Sequence, residues 1–303
     1  MADLHVNIAG VNFGNPLIAA SGTFGFGREY SEFYPLSVLG GISCKGITLQ
    51  PRLGNPPPRI AETPAGILNS VGLQNPGVDH FIDKDLPWLK KQNTVVIANI
   101  AGNTEEDYCN MARKLSATDI DMIELNISCP NVKSGGVAFG TSCTSVAHIT
   151  KRVRACCTKP LIVKLSPNVA DIAEIAKAAE SEGADALSLI NTLTGMRIDI
   201  DSRRPVLRNN TGGLSGAAVF PVAVRMVWQT ANAVSIPVIG MGGISSWQDA
   251  VEMLLAGASA LQIGTVLFHD PYAPVKIKEG LCTYLDKNGI RNIAELSGAV
   301  HPW

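Results

Sequence analysis

Two lysines stand inside apolar runs, where a positive charge needs a partner. Lys164 lies within Leu161–Leu165, and Lys45 ends the run Gly41–Lys45. A buried lysine is destabilising unless an anion or hydrogen bonds compensate its charge. An internal salt bridge, for example with Glu124, would be a structural explanation. The functional alternatives are a catalytic Schiff base, or contacts with an electron-rich ring and an anionic substrate.

Glycines follow two other apolar runs, each before a helical pattern. They lie in Gly242-Gly243 and in Gly264-Thr265. Glycine lets the backbone approach a ligand, and free N–H groups at a helix start favour an anion, so these segments predict a phosphate site. Plain turn glycines are the structural alternative. The segment Gly240–Ser245 nearly matches a dinucleotide fingerprint, but no acidic residue follows about 20 positions later, which favours a monophosphate group.

Four asparagines form a third group of candidate ligands, namely Asn69, Asn99, Asn126 and Asn191. Each side-chain amide offers donors at one end and an acceptor at the other. Individually, such residues are more often turn or cap residues. Together they would suit a planar heterocycle whose edge alternates N–H and C=O groups.

Cys129 is the candidate proton acceptor. It precedes Pro130, and a following proline favours an extended conformation at Cys129. The segment Lys133–Gly136 is predicted to be flexible and to act as a lid. No histidine falls at the end of a predicted strand, so the usual general base is missing. A nearby lysine, Lys45 or Lys164, would favour the thiolate. The other cysteines are predicted to be inert: Cys44, Cys109, Cys143, Cys156, Cys157 and Cys282.

Eight short apolar runs must position these residues. Runs that are continuously apolar are typical of strands covered on both faces. Helical patterns at Asp171–Glu182 and Trp247–Ala256 each end in Gly-Ala before the next run, which indicates parallel βαβ units. We therefore expect an α/β fold, a (β/α)8 TIM barrel that forms a single domain over residues 1–303; a doubly wound sheet is the alternative. The predicted strands are Leu17–Ser21, Gly41–Lys45, Val95–Ile100, Met122–Ile127, Leu161–Leu165, Ala186–Ile190, Ile236–Gly240 and Ala260–Ile263.

Two segments are too long and too rich in turn residues to be simple connections. They are Gln50–Asp79 and Gly195–Gly216, after predicted strands 2 and 6. Barrel enzymes carry their chemistry at the carboxyl ends of the strands, so we expect long active-site loops after strands 2, 4 and 6. Ordinary surface insertions are the alternative.

Composition excludes several classes of protein. The chain of 303 residues has 25 basic and 26 acidic residues, and this balance argues against a nucleic-acid binder. There is no apolar run of about 18 residues, so no membrane span is predicted. The sequence begins without a secretory signal pattern. Seven cysteines without a C-x-x-C pair argue against a disulfide framework, a zinc site or an iron–sulfur site, and fit a reducing cytoplasm.

Several motifs together resemble the dihydroorotate dehydrogenase family. They are Asn15–Gly22, Lys45–Thr48, Gly54–Arg59, Leu68–Gly77, Asn126–Asn131, Val238–Ile244 and Leu261–Thr265. The resemblance extends from about residue 10 to residue 300. The cysteine of the Asn126–Asn131 segment is typical of class 1. The segments Asn55–Arg59 and Arg204–Arg208 are more similar to the NAD-linked class 1B than to the fumarate-linked class 1A.

The resemblance implies one FMN at the mouth of the barrel. Its phosphate would be bound by Gly216, Gly242, Gly243, Gly264 and Thr265. Its isoalloxazine ring would contact Ser21, Lys45, Gly46, Asn99, Asn126, Lys164 and Ile190. Dihydroorotate would be held by Lys45, Asn69, Ser70, Val71, Gly72, Leu73, Asn126, Asn191 and Thr192.

The resemblance also implies a reaction and partners. Cys129 would remove a proton from C5 of dihydroorotate while hydride passes from C6 to flavin N5, giving orotate for pyrimidine biosynthesis. A second subunit with FAD and a 2Fe-2S cluster would pass electrons to NAD+, around a homodimer core within a heterotetramer. Three alternatives stay open: a fumarate-linked enzyme, a barrel lyase that uses Lys164 as a Schiff base, and a non-catalytic barrel that binds a phosphate ligand.

Overall fold

The computed structural model describes residues 2–127 and 139–303, and within them sixteen strands. The strands, in chain order, are β1 (Val6–Ile8), β2 (Val11–Phe13), β3 (Leu17–Ala19), β4 (Gly41–Ser43), β5 (Ile60–Thr63), β6 (Gly66–Asn69), β7 (Val95–Ile100), β8 (Met122–Asn126), β9 (Leu161–Lys164), β10 (Ala186–Leu189), β11 (Leu193–Gly195), β12 (Ile198–Asp199), β13 (Arg204–Pro205), β14 (Gly212–Ser215), β15 (Val238–Met241) and β16 (Ala260–Ile263). The helices are α1 (Val78–His80), α2 (Leu86–Leu89), α3 (Glu105–Ser116), α4 (Cys143–Arg154), α5 (Ile172–Ser181), α6 (Phe220–Ala231), α7 (Trp247–Leu255) and α8 (Ala273–Asn288). A π-helical turn, Phe81–Asp85, joins α1 to α2.

Eight of the strands form a closed parallel barrel in the order β3, β4, β7, β8, β9, β10, β15, β16. The barrel closes where β16 pairs with β3, with Ile263 opposite Ala19. Every residue of these eight strands is buried, as the continuous apolar runs predicted. The predicted (β/α)8 barrel is therefore confirmed, and the doubly wound sheet is excluded.

The strand boundaries differ from the predicted ones by one or two residues. Five predicted strands extend past the observed ends, to Ser21, Lys45, Ile127, Leu165 and Ile190. At Lys45 the backbone leaves the ladder, since its amide donates to the carbonyl of Gly25. The amides of Leu165 and Ile190 still donate to neighbouring barrel strands, at Ser188 and Met241. The strand predicted at Ile236–Gly240 is observed at Val238–Met241, after Pro237, which has no backbone donor.

The helix boundaries follow from capping residues. Asp171 caps α5 by accepting hydrogen bonds from the amides of Ala173 and Glu174. Ser246 and Asp249 form a capping box at the start of α7. Both helices predicted from the sequence are present; of the outermost predicted residues, Asp171, Glu182 and Ala256 act as caps, and Trp247 is the first residue of α7. No helix in the described ranges is long and apolar enough to cross a bilayer.

The two long insertions contain short strands as well as turns. Together they build a four-stranded antiparallel sheet in the order β11, β14, β6, β5, with Asn69 opposite both Gly213 and Ile60. A further two-stranded ribbon, β12 and β13, belongs to the second insertion. Glycines in β6 and β14 weaken the strand signal in the sequence. The predicted lid at Lys133–Gly136 lies outside the described residues.

Candidate active site

A cavity of about 600 Å³ opens at the carboxyl end of the barrel strands. Its walls come from the segments after the barrel strands and from the antiparallel sheet, including Ile67 of β6 and Leu214 of β14. The volume lies within the range of roughly 300–1,000 Å³ that is usual for small-molecule sites. The insertions therefore contribute to the site, as their position in the sequence predicted.

The cavity brings the predicted binding residues together. Those on its wall are Ser21, Lys45, Gly46, Asn69, Val71, Gly72, Leu73, Asn99, Asn126, Lys164, Ile190, Asn191, Thr192, Gly216, Gly242, Gly243, Gly264 and Thr265. Ser70 is buried beside it; its backbone amide donates to the carbonyl of Arg59, and its carbonyl accepts from Asn55. Cys129 lies outside the described residues, so its role stays a prediction.

Lys164 lies at the end of β9 with 4% of its surface exposed. Its Nζ donates a hydrogen bond to Ser21 Oγ at 3.2 Å. Among the described residues it does not approach Glu124 within ion-pairing distance, so the salt bridge considered as a structural explanation is absent. The ammonium group instead lies on the cavity wall, where a ligand can compensate its charge.

Glu124 of β8 is fully buried, and both of its oxygens are occupied by neutral donors. Oε2 accepts from Ser43 Oγ and Asn99 Nδ2, each at 2.6 Å. Oε1 accepts from Ser188 Oγ and Gln262 Nε2, each at 2.7 Å. Burial acts to raise the pKa of Glu124, but the charge of Lys164 and hydrogen bonds from its neighbours outweigh burial and lower the pKa below its ordinary value of 4.5. Glu124 is therefore ionised at neutral pH.

This lowered pKa predicts a loss of stability in acid. Glu124 stabilises the fold fully above its unfolded-state pKa near 4.5, and that contribution is lost as the pH falls through the lower native value. We expect the free energy of unfolding of the wild type to fall more steeply than that of Glu124→Gln between about pH 6 and pH 3. Urea titrations at each pH measure the two slopes. Parallel slopes would contradict the prediction.

Three of the four asparagines predicted to act together form a hydrogen-bonded series that starts at Glu124, whereas Asn69 donates to the carbonyl of Gly213. Asn99 donates to Glu124, and Asn126 Nδ2 donates to Asn99 Oδ1 at 3.3 Å. Asn191 Nδ2 donates to Asn126 Oδ1 at 3.4 Å, and Asn191 Oδ1 accepts from the amide of Thr192. Each amide fixes the orientation of the next, because it can donate only from its nitrogen.

The predicted phosphate segments meet at one end of the cavity. β15 and β16 are parallel neighbours, so the residues that follow them, Gly242-Gly243 and Gly264-Thr265, lie side by side. Gly216 and Gly243 both have positive φ, of 104° and 79°. A Cβ on Gly243 would lie 2.9 Å from the carbonyl oxygen of Gly216 and 2.7 Å from Cβ of Phe220. The backbones thus approach each other so closely that only glycine fits at position 243 without overlap.

Gly243→Ala is expected to destabilise the fold through both strain and overlap. The positive φ and the two close contacts together predict a loss of about 2–4 kcal/mol in the free energy of unfolding. Gly289→Ala is the matched control, since Gly289 has a φ of 67° with no atom within 4 Å of the added Cβ. Urea denaturation of both variants measures the difference. Equal losses would show that the close packing around Gly243 has no energetic consequence.

The family model for "Dihydroorotate dehydrogenase" matches residues 3–285 of this chain. The chain belongs to the dihydroorotate dehydrogenase family. Enzymes of this family are generally flavin-dependent.

Similar proteins of this dihydroorotate dehydrogenase family cover nearly the whole chain. A protein of Alkaliphilus metalliredigens named "Dihydroorotate dehydrogenase B (NAD(+)), catalytic subunit" is 56% identical over 298 residues, which are 98% of this chain and 99% of that protein. A protein of Bacteroides thetaiotaomicron with the same name is 56% identical over 301 residues, with 99% of each chain covered. The crystal structure of the Eimeria tenella enzyme in complex with ferulenol has a TM-score of 0.81 at 25% identity, covering 98% of this chain and 88% of that one.

The dihydroorotate dehydrogenase site also contains residues that the sequence reasoning missed. His269 lines the cavity after the short helix Thr265–Phe268, so the expectation that no histidine reaches the site is wrong. Gln262 lines it from within β16. A polar residue inside an apolar run is the signal that identified Lys164, and it applies equally to Gln262. No comparable signal marks His269, because it follows a helical turn rather than a strand.

Cys44 and Cys109, two of the cysteines predicted to be inert, have raised thiol pKa values. Burial raises the pKa of Cys44 far above its ordinary value. Burial and a hydrogen bond with Cys156 raise the pKa of Cys109 to about 11. Such thiols are poor nucleophiles at neutral pH. Within residues 2–127 and 139–303, no group of three or more His, Cys, Asp or Glu side chains is arranged to hold a metal ion.

Proposed function

We propose that this dihydroorotate dehydrogenase family member is the FMN-binding catalytic subunit of an NAD-linked enzyme that oxidises dihydroorotate to orotate in pyrimidine biosynthesis. The observation that carries the proposal is Lys164, a nearly buried ammonium group on the cavity wall that donates a hydrogen bond to the neutral Ser21 and forms no ion pair within 4 Å among the described residues. An electron-rich ring bound against Lys164 would add to the partial compensation that Glu124 provides from a longer distance. The relatives named as NAD-linked catalytic subunits support the assignment. We assign residues 1–303 to one FMN-binding barrel domain.

The residues of the cavity fit FMN. The volume of about 600 Å³ is suitable for a flavin, and the wall combines a glycine-lined end with a lysine and several amides. We assign the phosphate to Gly216, Gly242, Gly243, Gly264 and Thr265, because free backbone N–H groups favour an anion there. We assign the isoalloxazine ring to Ser21, Lys45, Gly46, Asn99, Asn126, Lys164 and Ile190. When bound, FMN supplies a two-electron acceptor for hydride.

A second set of residues at the cavity, which shares Lys45 and Asn126 with the ring site, suits an anionic heterocycle with alternating N–H and C=O groups. We assign dihydroorotate to Lys45, Asn69, Ser70, Val71, Gly72, Leu73, Asn126, Asn191 and Thr192. Lys45 provides a positive charge for the carboxylate, and the amides provide both donors and acceptors. Cys129 is assigned as the base that accepts the proton from C5.

We assign the transfer of electrons to the final acceptor to a partner subunit. We propose an electron-transfer subunit with FAD and a 2Fe-2S cluster that delivers electrons to NAD+, in a heterotetramer built on a homodimer of this chain. The words "catalytic subunit" in the names of the relatives support a division of labour between subunits. We place the enzyme in the cytoplasm, where NAD+ is available.

The decisive experiment is a visible spectrum of the purified chain, followed by anaerobic addition of dihydroorotate. We expect a yellow protein with bound FMN whose flavin absorbance bleaches on addition of substrate. Colourless protein that takes up no FMN would overturn the proposal. Borohydride trapping of a substrate on Lys164 would favour a barrel lyase instead. Efficient reoxidation by fumarate, without a partner subunit, would favour the fumarate-linked type over the NAD-linked one.

A further inference from the structure

Glu124 controls the direction in which two amides point. An ionised carboxylate can only accept hydrogen bonds, whereas a side-chain amide donates from one end and accepts at the other. Asn99 and Gln262 both donate to Glu124, so both must turn their oxygens away from it. This conclusion follows from the charge of Glu124, because a carboxylate can accept only from the nitrogen of each amide.

The two amide oxygens have different surroundings. Asn99 Oδ1 accepts a hydrogen bond from Asn126. Gln262 Oε1 is buried and has no hydrogen-bond partner among the described residues. Gln262 is 1% exposed and lies on the cavity wall. A buried acceptor without a donor is destabilising, so a ligand of this cavity that carries a donor at this position is favoured.

The chemistry of the donor follows from the proposed cofactor, on which this inference rests. An oxidised isoalloxazine ring has a single N–H group, at N3, and its acceptors are N1, N5 and the carbonyl oxygens O2 and O4. The unpaired amide oxygen of Gln262, a residue of the cavity wall, is complementary to that one group. An amide turned the other way would present N–H to N–H and would be repulsive.

We propose that Glu124 is a positioning residue that orients the Gln262 amide, so that Gln262 Oε1 accepts a hydrogen bond from the N3–H group of the bound flavin. Glu124 thereby acts on cofactor recognition without contacting the cofactor.

The proposal predicts what Glu124→Gln does to the site. The new NH₂ group must face either the Asn99 amide or the Gln262 amide, and the amide it faces must rotate. Rotation of Asn99 would break its hydrogen bond with Asn126. Rotation of Gln262 affects only its hydrogen bond with residue 124, among the described residues, and that bond re-forms with donor and acceptor exchanged. Gln262 therefore rotates and presents its NH₂ group to the flavin.

The test is competition between FMN and N3-methyl-FMN, which lacks the N–H group. The full-length holoprotein is incubated with an excess of both flavins in equal amounts until exchange is complete, and the bound flavins are separated and quantified. We expect the wild type to prefer FMN, and Glu124→Gln to lose about tenfold of that preference, the value of one hydrogen bond. Gln262→Met, which removes the oxygen and keeps Glu124, is expected to lose the same preference.

A double variant separates positioning from a merely structural role. In Glu124→Gln combined with Gln262→Glu, the new amide donates to the new carboxylate, whose second oxygen again accepts from N3–H. The total charge is unchanged, and the preference for FMN is expected to return.

Several outcomes would overturn the inference. They are an unchanged preference in Glu124→Gln or in Gln262→Met, and the absence of recovery in the folded double variant. If Glu124→Gln does not fold, Gln262→Met decides the matter. A wild type that binds FMN without preferring it over the methylated flavin overturns this inference alone, whereas a wild type that binds neither flavin also overturns the proposed function.

Discussion

Cys129→Ala is expected to retain FMN and to lose turnover at neutral pH by a factor of about 10²–10⁴, the usual contribution of a general base. The reason is chemical: a proton must leave C5 of dihydroorotate, and alanine cannot accept it. All the flavin contacts assigned above except Asn126 lie on other segments of the chain, so the flavin spectrum should be unchanged. Stopped-flow measurement of flavin bleaching by dihydroorotate, together with the flavin content, checks both halves of the expectation.

Two further variants make this result specific. Cys129→Ser should be slow at neutral pH and recover as the pH rises, because a hydroxyl group is a much weaker base than a thiolate. His269→Ala tests the one histidine that reaches the cavity wall in the described part of the chain, and we expect it to retain turnover. Near-normal turnover in Cys129→Ala, combined with a large loss in His269→Ala, would transfer the base assignment to His269.

Lys164→Met is expected to weaken FMN binding by roughly 10- to 150-fold, the value of a hydrogen bond to a charged group. Lys164 is nearly buried on the cavity wall, and its charge also lowers the pKa of Glu124. Methionine keeps most of the side-chain volume but removes the charge. The dissociation constant of FMN, measured by the return of flavin fluorescence on dilution, checks the expectation.

The control for this variant is Lys177→Met. Lys177 lies on the exposed surface of α5, in an ion pair with Glu174 at 2.8 Å. Its replacement removes the same charge far from the site, and FMN binding is expected to be unchanged. Full flavin occupancy of Lys164→Met after extensive dialysis would contradict the assignment of Lys164 to the cofactor site.

The barrel strands and most of the site could be predicted because two local signals coincide. A strand covered on both faces is apolar throughout, and a polar residue where it ends stands out against that background. Parallel strands bring such ends to one side of the barrel, so Ser21, Lys45 and Lys164 could be grouped without a structure. Lys164 and Ser21 lie 143 positions apart and are joined by a hydrogen bond.

The remaining features depend on contacts that the sequence does not encode locally. The antiparallel sheet over the cavity is made of strands of three or four residues, and glycines in two of them leave little pattern to detect. The cluster around Glu124 requires knowledge of which strands are neighbours across the barrel interior, because Gln262 is 138 positions away. The local pattern identified Glu124 only as a possible partner of Lys164.

The pairing of β16 with β3 has a consequence for how the chain folds during its synthesis on the ribosome. Ala19 of the first barrel strand is opposite Ile263 of the last one. The barrel therefore cannot close until the last strand has left the ribosome. Gly264 and Thr265, assigned to the phosphate, directly follow that last strand. Cofactor loading is therefore expected to be a late event, after nearly the whole polypeptide has emerged. Nascent chains that stop short of residue 263 should be empty of flavin and open to proteases.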